Sequence, residues 1–419
     1  MATDRKKRKI HIKRFKTEKS QNRKKTEAKQ NAQAEQNSEQ NNSKLKLING
    51  KRKKRKIIRI VSYVLAASVV ITLFIVNALT PTGLVESLQN SYAAMGKGEY
   101  PVNVYSANST YFNCWNDIVC IVNDSFFELY NDQGKLLQAV SHGFADPVVE
   151  MSQARYLLYD RGRYSVNVYN YSDEIYSREF DKTIISADIG RDGTFAVVTD
   201  SDTYQNTVFV YNKDNESVYT WNSANYYITD VAVSDDGEKL AVCMLNSVNG
   251  YFESYIYILE FDSADPVSRY SFNGVVLSLT SCGENYILAN GFDRAYSVPW
   301  NGGNETDIGI SGSIRCYDYS VDGRSCVVWG REDNEQVNFA SFLNSAGKVT
   351  STVTVNTAVT DLCVSETKVA LLLSNDVYVY DNGGNLKQSY QNDVKGLYLG
   401  ITEDGKILVL DNSKLIKIN

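Results

Sequence analysis

The stretch that decides the fold is Val231–Met244, which reads VAVSDDGEKLAVCM. Two alternating apolar runs flank the dipeptide Asp236-Gly237, and glycine readily takes the positive φ of a tight turn. The pattern therefore predicts two antiparallel β-strands joined by a hairpin. Strong copies of it lie at Ala187–Thr199, Tyr317–Trp329 and Leu399–Leu410, and weaker copies have turns at Asn116-Asp117, Ala154-Arg155, Gly283-Glu284 and Glu366-Thr367.

A second marker keeps the same phase as the hairpins. It is a strand that ends in an aromatic or apolar residue followed by Asn or Asp, as in FELYN at Phe127–Asn131. The copies recur at a period of about 41 residues, and a period of about 40 to 45 is typical of four-stranded β-propeller blades. The strand ends lie at Asn131, Asn170, Asn212, Asp262, Asn301, Asn344, Asp381 and Asn419.

These markers predict an all-β domain over residues 101–419, a β-propeller of about eight four-stranded blades. The eighth repeat stops at Asn419, after its third strand, whereas Val102–Ser106 (VNVYS) is a strand that belongs to no repeat. We therefore predict that Val102–Ser106 completes the last blade, so that the two ends of the domain close the ring. Seven blades with one additional element is the alternative.

The charge of the chain is segregated. Residues 1–56 contain 21 Lys and Arg against 5 Asp and Glu, whereas residues 57–419 contain 23 against 44. The first segment has no apolar period and is predicted to be a disordered basic tail. Its last six residues, Lys51–Lys56, run directly into residues 57–79, an apolar stretch long enough for a transmembrane helix.

The flanking charges predict an orientation for this span. Basic residues adjoin its N-terminal end, so the positive-inside rule places the tail in the cytoplasm and residues 81–419 outside. A signal peptide cleaved near Val76-Asn77-Ala78 is the alternative, although the apolar run exceeds an ordinary signal core. Residues 80–100 are predicted to be a juxtamembrane linker, of which Leu84–Gly98 is expected to be dispensable for stability.

The expected partners follow from these segments. The lipid bilayer is expected to contact residues 57–79, and anionic lipids of the inner leaflet are expected to attract the tail. Lys and Arg clusters also neutralise the phosphates of nucleic acids. No segment resembles a module that reads bases, so no nucleic-acid partner is expected.

The sequence contains no motif that predicts catalysis, phosphate binding or zinc binding. Only His11 and His142 are present, and His11 lies in the tail. His142 follows a predicted outer strand and adjoins a glycine, which is typical of an ordinary loop residue. We therefore predict no catalytic, cofactor-binding or metal-binding residue and no cofactor.

Three other residue classes are interpreted as structural. Most of the seven cysteines stand singly in apolar runs, as expected of buried thiols. Two cysteine pairs flank hairpin turns, but their positions along the paired strands do not match, so free thiols are favoured and a disulfide in either pair is the alternative. The acidic groups lack the spacing of a calcium-binding loop and are predicted to be solvated turns. The aromatic residues are predicted to pack the blades rather than to bind carbohydrate. The residues are Cys114, Cys120, Cys243, Cys282, Cys316, Cys326 and Cys363; Asp200, Asp202, Asp235, Asp236, Glu332 and Asp333; and Trp221, Tyr226, Tyr227, Trp300 and Trp329.

The repeat resembles the WD-like and TolB-like propeller repeats, whose units carry S-x-D-G-x-x-[ILV]-[AV]. Ser234–Ala241 reads SDDGEKLA, and Val166–Asn170 (VNVYN) is similar to the third strand of a WD repeat. The whole layout is similar to a family of single-span bacterial membrane proteins of unknown function with an external propeller. The resemblance implies a fold and no particular activity. The T-G-x-x-x-W motif of quinone-dependent propeller dehydrogenases is absent, which argues against a quinone cofactor.

Two main functions are compared on this basis. The first is a membrane-anchored, extracytoplasmic propeller that binds or scaffolds a cell-envelope protein or polymer. The second is a glycoside hydrolase or lyase, which needs two carboxylates about 5–10 Å apart on a propeller face. A sensor that signals through the tail ranks last, because the tail contains no signalling domain. The anchor and the missing catalytic motifs favour the binding module.

Overall fold

The computed structural model describes residues 40, 41, 44, 54, 56, 58–76, 80–105, 109–331, 334–374, 376–391 and 396–418. The chain divides into two compact units, residues 1–77 and residues 78–419. The prediction of disorder for residues 1–56 lies outside the described residues, apart from positions 40, 41, 44, 54 and 56.

The first unit contains helix α1, Ile58–Val76. Its 19 residues have a mean hydropathy of 2.3, and none of them is buried. The helix is long and apolar enough to cross a membrane, and a signal sequence has the same properties. It lies inside the span predicted over residues 57–79, of which residues 57 and 77–79 are not described.

The second unit is built from antiparallel strands, as the alternating apolar pattern predicts. Each of the first seven blades consists of four strands in sequence order, with the first strand innermost. Blades 1 to 4 are β2 Tyr111–Trp115, β3 Ile118–Val122, β4 Phe126–Asn131 and β5 Leu136–Ser141; β6 Pro147–Met151, β7 Tyr156–Asp160, β8 Ser165–Tyr169 and β9 Glu174–Glu179; β10 Ile184–Ile189, β11 Phe195–Asp200, β12 Asn206–Tyr211 and β13 Ser217–Ser223; and β14 Tyr227–Val233, β15 Lys239–Val248, β16 Tyr251–Glu260 and β17 Ser268–Asn273.

The remaining blades repeat this arrangement, so the described part of the second unit contains eight four-stranded sheets. Blade 8 takes its outer strand, β1, from the beginning of the domain. Blades 5 to 8 are β18 Val276–Cys282, β19 Tyr286–Gly291, β20 Ala295–Pro299 and β21 Thr306–Asp307; β22 Ser313–Tyr319, β23 Ser325–Gly330, β24 Asn338–Leu343 and β25 Val349–Val355; β26 Val359–Val364, β27 Lys368–Leu373, β28 Asp376–Asp381 and β29 Leu386–Gln391; and β30 Tyr398–Ile401, β31 Ile407–Leu410, β32 Lys414–Ile418 and β1 Val102–Asn103.

The hydrophobic core is divided among the junctions between blades. Second strands are the most apolar, and all five residues of β3 are buried. At the junction of blades 1 and 2, Phe127 of one blade packs against Tyr156 of the next, with ring centroids 5.7 Å apart. Similar clusters join the other neighbouring blades within the described residues, so each blade buries its two faces against its neighbours.

The predicted ring closure is confirmed. In β1, Val102 lies opposite Leu415, and Asn103 lies opposite Lys414. The amide of Val104 adds a hydrogen bond of 3.0 Å to the carbonyl of Ser413. The seven-blade alternative is therefore wrong, although β1 is shorter than the predicted Val102–Ser106 strand.

The predicted hairpin turns are also confirmed. Gly193, Gly237, Gly323 and Gly405 all have positive φ, between 68° and 92°. Because strands alternate in direction, turns that join first to second strands and third to fourth strands lie on one side of the ring. We name this side the α2 face and the opposite side the open face.

A helix lies on the α2 face within the predicted linker over residues 80–100. Helix α2, Leu84–Ala94, buries Asn90, whose side-chain amide donates to the carbonyl of Ala154 and whose side-chain oxygen accepts from the amide of Tyr171. Glu86 of α2 forms a bidentate ion pair with Arg155 of blade 2, with N–O distances of 2.9 and 2.6 Å. The segment is thus a docked helix, and the expectation that Leu84–Gly98 is dispensable no longer holds.

Candidate functional site

The inner strands of blades 1 to 6 enclose a central cavity of about 330 Å³. Its lining is mainly polar and aromatic and includes Trp115, Glu150, Asp188, Arg191 and Tyr319. This cavity is the first place where the ring could hold a small ligand, because propellers commonly use their central channel and their two faces.

Two aromatic side chains that line the channel are in contact. The rings of Trp115 in blade 1 and Tyr319 in blade 6 meet edge to face, with centroids 5.0 Å apart. A second cavity of about 320 Å³ lies between blades 1, 6, 7 and 8 and shares Trp115 with the first. The indole N–H of Trp115 is buried and has no hydrogen-bond partner among the described residues.

Four aspartates of the inner strands make the same contact with the next blade. Each carboxylate accepts a hydrogen bond of 2.6–2.8 Å from a backbone amide in the inner strand of the next blade. Each of these bonds links the inner strands of two neighbouring blades. The pairs are Asp188 with Val233, Asp230 with Leu279, Asp318 with Val364, and Asp361 with Leu399.

Burial raises the pKa of these carboxyl groups because it disfavours their charged form. The pKa is raised to about 7 for Asp188, Asp318 and Asp361, and to about 6 for Asp230. Burial, with the neighbouring carboxylates of Asp188 and Asp230, also raises the pKa of Glu150 well above its ordinary value.

These shifts predict that the propeller is more stable in mild acid than at alkaline pH. A raised pKa means that the folded state binds more protons than the unfolded state, so stability rises as the pH falls from about 8 towards the unfolded value near 4. Because one pKa unit corresponds to about 1.36 kcal/mol, we expect the melting temperature to be at least about 5 °C higher at pH 5.5 than at pH 8. Differential scanning calorimetry measures this.

The matched variants for this measurement are Asp318→Asn and Asp361→Asn. Each keeps an oxygen that can accept the same backbone hydrogen bond but removes the titrating group. Both should flatten the dependence of melting temperature on pH. A propeller whose stability instead increases from pH 5.5 to pH 8 would contradict the assignment of the buried carboxyl groups.

The channel does not favour the enzyme alternative. A glycosidase needs one carboxylic acid and one carboxylate free to reach the substrate. Four of the inner-strand carboxylates are engaged with backbone amides instead, which gives them a structural role. Glu150 has no such bond among the described residues, and its raised pKa favours the neutral acid.

The residues singled out in the sequence have structural surroundings. His142 bridges two segments of blade 1, with Nδ1 accepting from the amide of Phe144 at 3.0 Å and Nε2 lying 3.0 Å from the carbonyl of Asn123. All seven cysteines are free thiols, and six of them are buried. Among the described residues, no group of three or more His, Cys, Asp and Glu side chains is placed to hold a metal ion.

The acidic turns differ from one another. Asp202 pairs with Lys182 at an exposed site, as expected for a solvated turn. Asp235 lines the central cavity instead, and burial raises its pKa to about 6. Asp235 thus lies in a turn, as predicted, but it is only partly exposed. The cluster at residues 332 and 333 is outside the described part of the chain.

The aromatic residues singled out in the sequence mainly pack the blades, as predicted. Trp300 is buried, and Trp329 stacks on Phe339 while its indole nitrogen donates to Ser341. Further contacts join Trp221 to Tyr257 and Tyr226 to Tyr255. Tyr227 differs from these residues, because about half of its side chain is exposed.

The open face carries a group of exposed aromatic residues, of which only Tyr227 was considered from the sequence. In blade 4, the pairs Ser247 with Phe252 and Val248 with Tyr251 extend β15 and β16 beyond the neighbouring strands β14 and β17. Asn249 and Gly250 form the tip with positive φ. We name the exposed side chains on this side of blades 3 to 5 the aromatic face: Tyr204, Tyr227, Tyr251, Phe252 and Phe292.

The comparisons with solved structures agree with this fold. The chain is similar to the C-terminal WD40 domain of Sif2, with 16% identity, a TM-score of 0.53, and coverage of 77% of this chain and 100% of that one. It is also similar to Sqt1 of Saccharomyces cerevisiae, with 11% identity, a TM-score of 0.54, and coverage of 78% and 100%. Such similarity supports the WD40-like propeller fold and no activity.

The comparisons at the sequence level give a family. No curated protein matches the chain. Residues 98–419, which include every strand of the eight blades, match a family described as of unknown function, DUF5711. The chain therefore belongs to the DUF5711 family.

Proposed function

We propose that this protein is a membrane-anchored, extracytoplasmic propeller that binds a cell-envelope protein or polysaccharide. In this proposal α1 is an uncleaved span, and the basic tail stays in the cytoplasm beside anionic lipids. The run Lys51–Lys56 supports this orientation, because positively charged segments adjoining a span are retained inside. The next cation after α1 is Lys97, so the opposite flank offers no competing charge.

The observation that carries the binding role is the aromatic face. Large apolar side chains that stay exposed on one side of a folded domain commonly mark an interaction surface. Tyr and Phe are well suited to it, since they bury much area at a low cost in conformational entropy. The long hairpin of blade 4 presents Tyr251 and Phe252 beyond the surrounding strands, where a partner can reach them.

The test is retention of envelope components by the purified protein. We expect the double variant Tyr251→Ser with Phe252→Ser to reduce retention at least about tenfold, because central aromatic residues often contribute about 2 kcal/mol or more to an interface. Envelope fractions that have been treated with protease distinguish a polysaccharide partner from a protein.

The matched control is Leu386→Ser on the outer strand of blade 7. Leu386 and Phe252 are similarly exposed, at 53% and 54%, but Leu386 is not on the aromatic face. The control should retain the partner as the unmodified protein does. Equal retention by all three proteins would show that the aromatic face is not the binding surface.

A further inference from the structure

Helix α2 presents its apolar side to solvent. Val85, Leu88 and Tyr92 follow the i, i+3, i+7 spacing of one helical stripe, and Met95 extends it just past the last turn. All four side chains are more than 60% exposed. The side of α2 that packs on the propeller carries the polar residues Glu86 and Asn90 and the small residues Ala93 and Ala94.

The contacts beneath α2 prevent the helix from turning this stripe inward. Glu86 is held by Arg155, and both side chains of this ion pair are nearly buried. At the other end, the ammonium group of Lys135 donates to the carbonyls of Ala93 and Met95, at 2.9 and 2.6 Å. The side-chain amide of Asn131 donates to the carbonyl of Ala94 at 2.8 Å. Both ends are therefore fixed, and the orientation of the stripe is set by the propeller.

The chain offers a specific occupant for the stripe. Only seven residues, 77–83, separate the end of α1 from the start of α2. A chain of that length reaches at most about 25 Å, so a helix that follows a membrane span so closely starts near the lipid headgroups. Aliphatic side chains beside a tyrosine are typical of a helix that lies in the membrane interface.

We propose that α2 docks on the lipid surface through Val85, Leu88, Tyr92 and Met95, which turns the α2 face of the propeller towards the membrane. The inference rests on the proposed anchoring by α1. Because Glu86, Asn90 and Lys135 tie α2 to blades 1 and 2, such docking orients the whole ring rather than a loose segment. The aromatic face then points away from the membrane, towards the envelope.

The test places a fluorescent probe in the stripe of the full-length chain. The variant Tyr92→Trp is reconstituted in vesicles of phosphatidylcholine and phosphatidylglycerol, and its emission is compared with that of the unmodified chain, which contains four tryptophans. Brominated lipids quench indole only at close range. We expect the added emission to be blue-shifted, and to be quenched more strongly by shallow than by deep bromines, since interfacial helices insert only about 5–10 Å.

The matched control is Tyr251→Trp on the open face. Tyr251 and Tyr92 are equally exposed, at 78% and 79%, so the two probes differ in their side of the ring rather than in accessibility. The control probe should keep the emission of a solvent-exposed indole and should not be quenched.

The other outcomes overturn the inference in distinguishable ways. If the chain floats with the vesicles but the Tyr92→Trp probe is no more quenched than the control, the result supports anchoring by α1 and contradicts docking of α2. A blue shift without bromolipid quenching would show that a protein surface, such as a second copy, covers the stripe. A chain that does not float at all would overturn the anchoring and the docking together.

Discussion

Deleting residues 102–105 is expected to lower the melting temperature of the propeller by about 10 °C, because it removes the strand that closes the ring. The deletion exposes the edge of β32 and the apolar cluster at the junction of blades 8 and 1, which includes Val104, Phe112 and Leu415. Burial of each such side chain contributes about 1.5–3 kcal/mol, so the loss should reach about 3–5 kcal/mol. Thermal unfolding followed by circular dichroism measures it.

Two point variants show whether the loss of stability comes from opening the ring or from shortening the chain. Val104→Asp places a carboxyl group in the cluster at the junction and should destabilise the propeller by at least about 3 kcal/mol. Asn103→Asp changes an exposed side chain of β1 and should have little effect. If the two variants unfold at the same temperature, the junction of blades 8 and 1 does not stabilise the ring.

Arg155→Ala is expected to release α2 from the propeller. Breaking a buried ion pair by removing one partner typically costs about 3–5 kcal/mol, because the other charge stays buried without compensation. The guanidinium also donates to the carbonyl of Lys213, which joins α2 to blade 3 through the same side chain. Hydrogen exchange should therefore accelerate at least about a hundredfold for the amides of residues 88–94, given about 1.4 kcal/mol for each factor of ten.

Arg161→Ala provides the control for this measurement. Its ion pair with Asp146 has nearly the same length, 2.9 Å, but both side chains are about half exposed. Exposed pairs contribute about 0–1 kcal/mol, so exchange in α2 should not change. Protection of α2 that survives Arg155→Ala would mean that the Asn90 and Lys135 contacts suffice to hold the helix.

The blades could be predicted because each repeats a local pattern. Alternating apolar residues on both sides of a turn such as Asp236-Gly237 predict a hairpin in each repeat. The period of about 41 residues then gives the number of blades. Ring closure followed from the unmatched strand at Val102, since an unpaired third strand in the last blade would leave backbone groups without partners. The length of β1 did not follow, because strand ends depend on tertiary contacts.

Helix α2 was missed for a physical reason. A segment of eleven residues is too short to be a stable helix alone, so its formation depends on the surface beneath it. That surface is largely polar, with Arg155, Asn131 and Lys135, and it offers only a small apolar patch to Ala93 and Ala94. Because the apolar stripe of α2 faces solvent rather than a core, its residues could not be distinguished in the sequence from apolar residues scattered along a linker.

The aspartates of the inner strands were not predicted from the sequence, although their spacing indicates a repeated position. Asp188 and Asp230 are 42 residues apart, and Asp318 and Asp361 are 43 apart, which is the period of the blades. An acidic residue that recurs with the repeat indicates a structural contact between blades. Trp115 and Tyr319 gave no such signal, because their contact joins blades that are distant in sequence.

The central claim, an anchored propeller outside the cytoplasm, is tested most directly by labelling cysteines in spheroplasts with a membrane-impermeant maleimide. Thr203→Cys adds an exposed thiol to blade 3, and Ser20→Cys adds one to the basic tail; the unmodified chain, with six of its seven thiols buried, gives the background. We expect Thr203→Cys to be labelled in intact spheroplasts and Ser20→Cys to be labelled only after lysis. The reverse pattern, or release of the propeller into the medium, would contradict it.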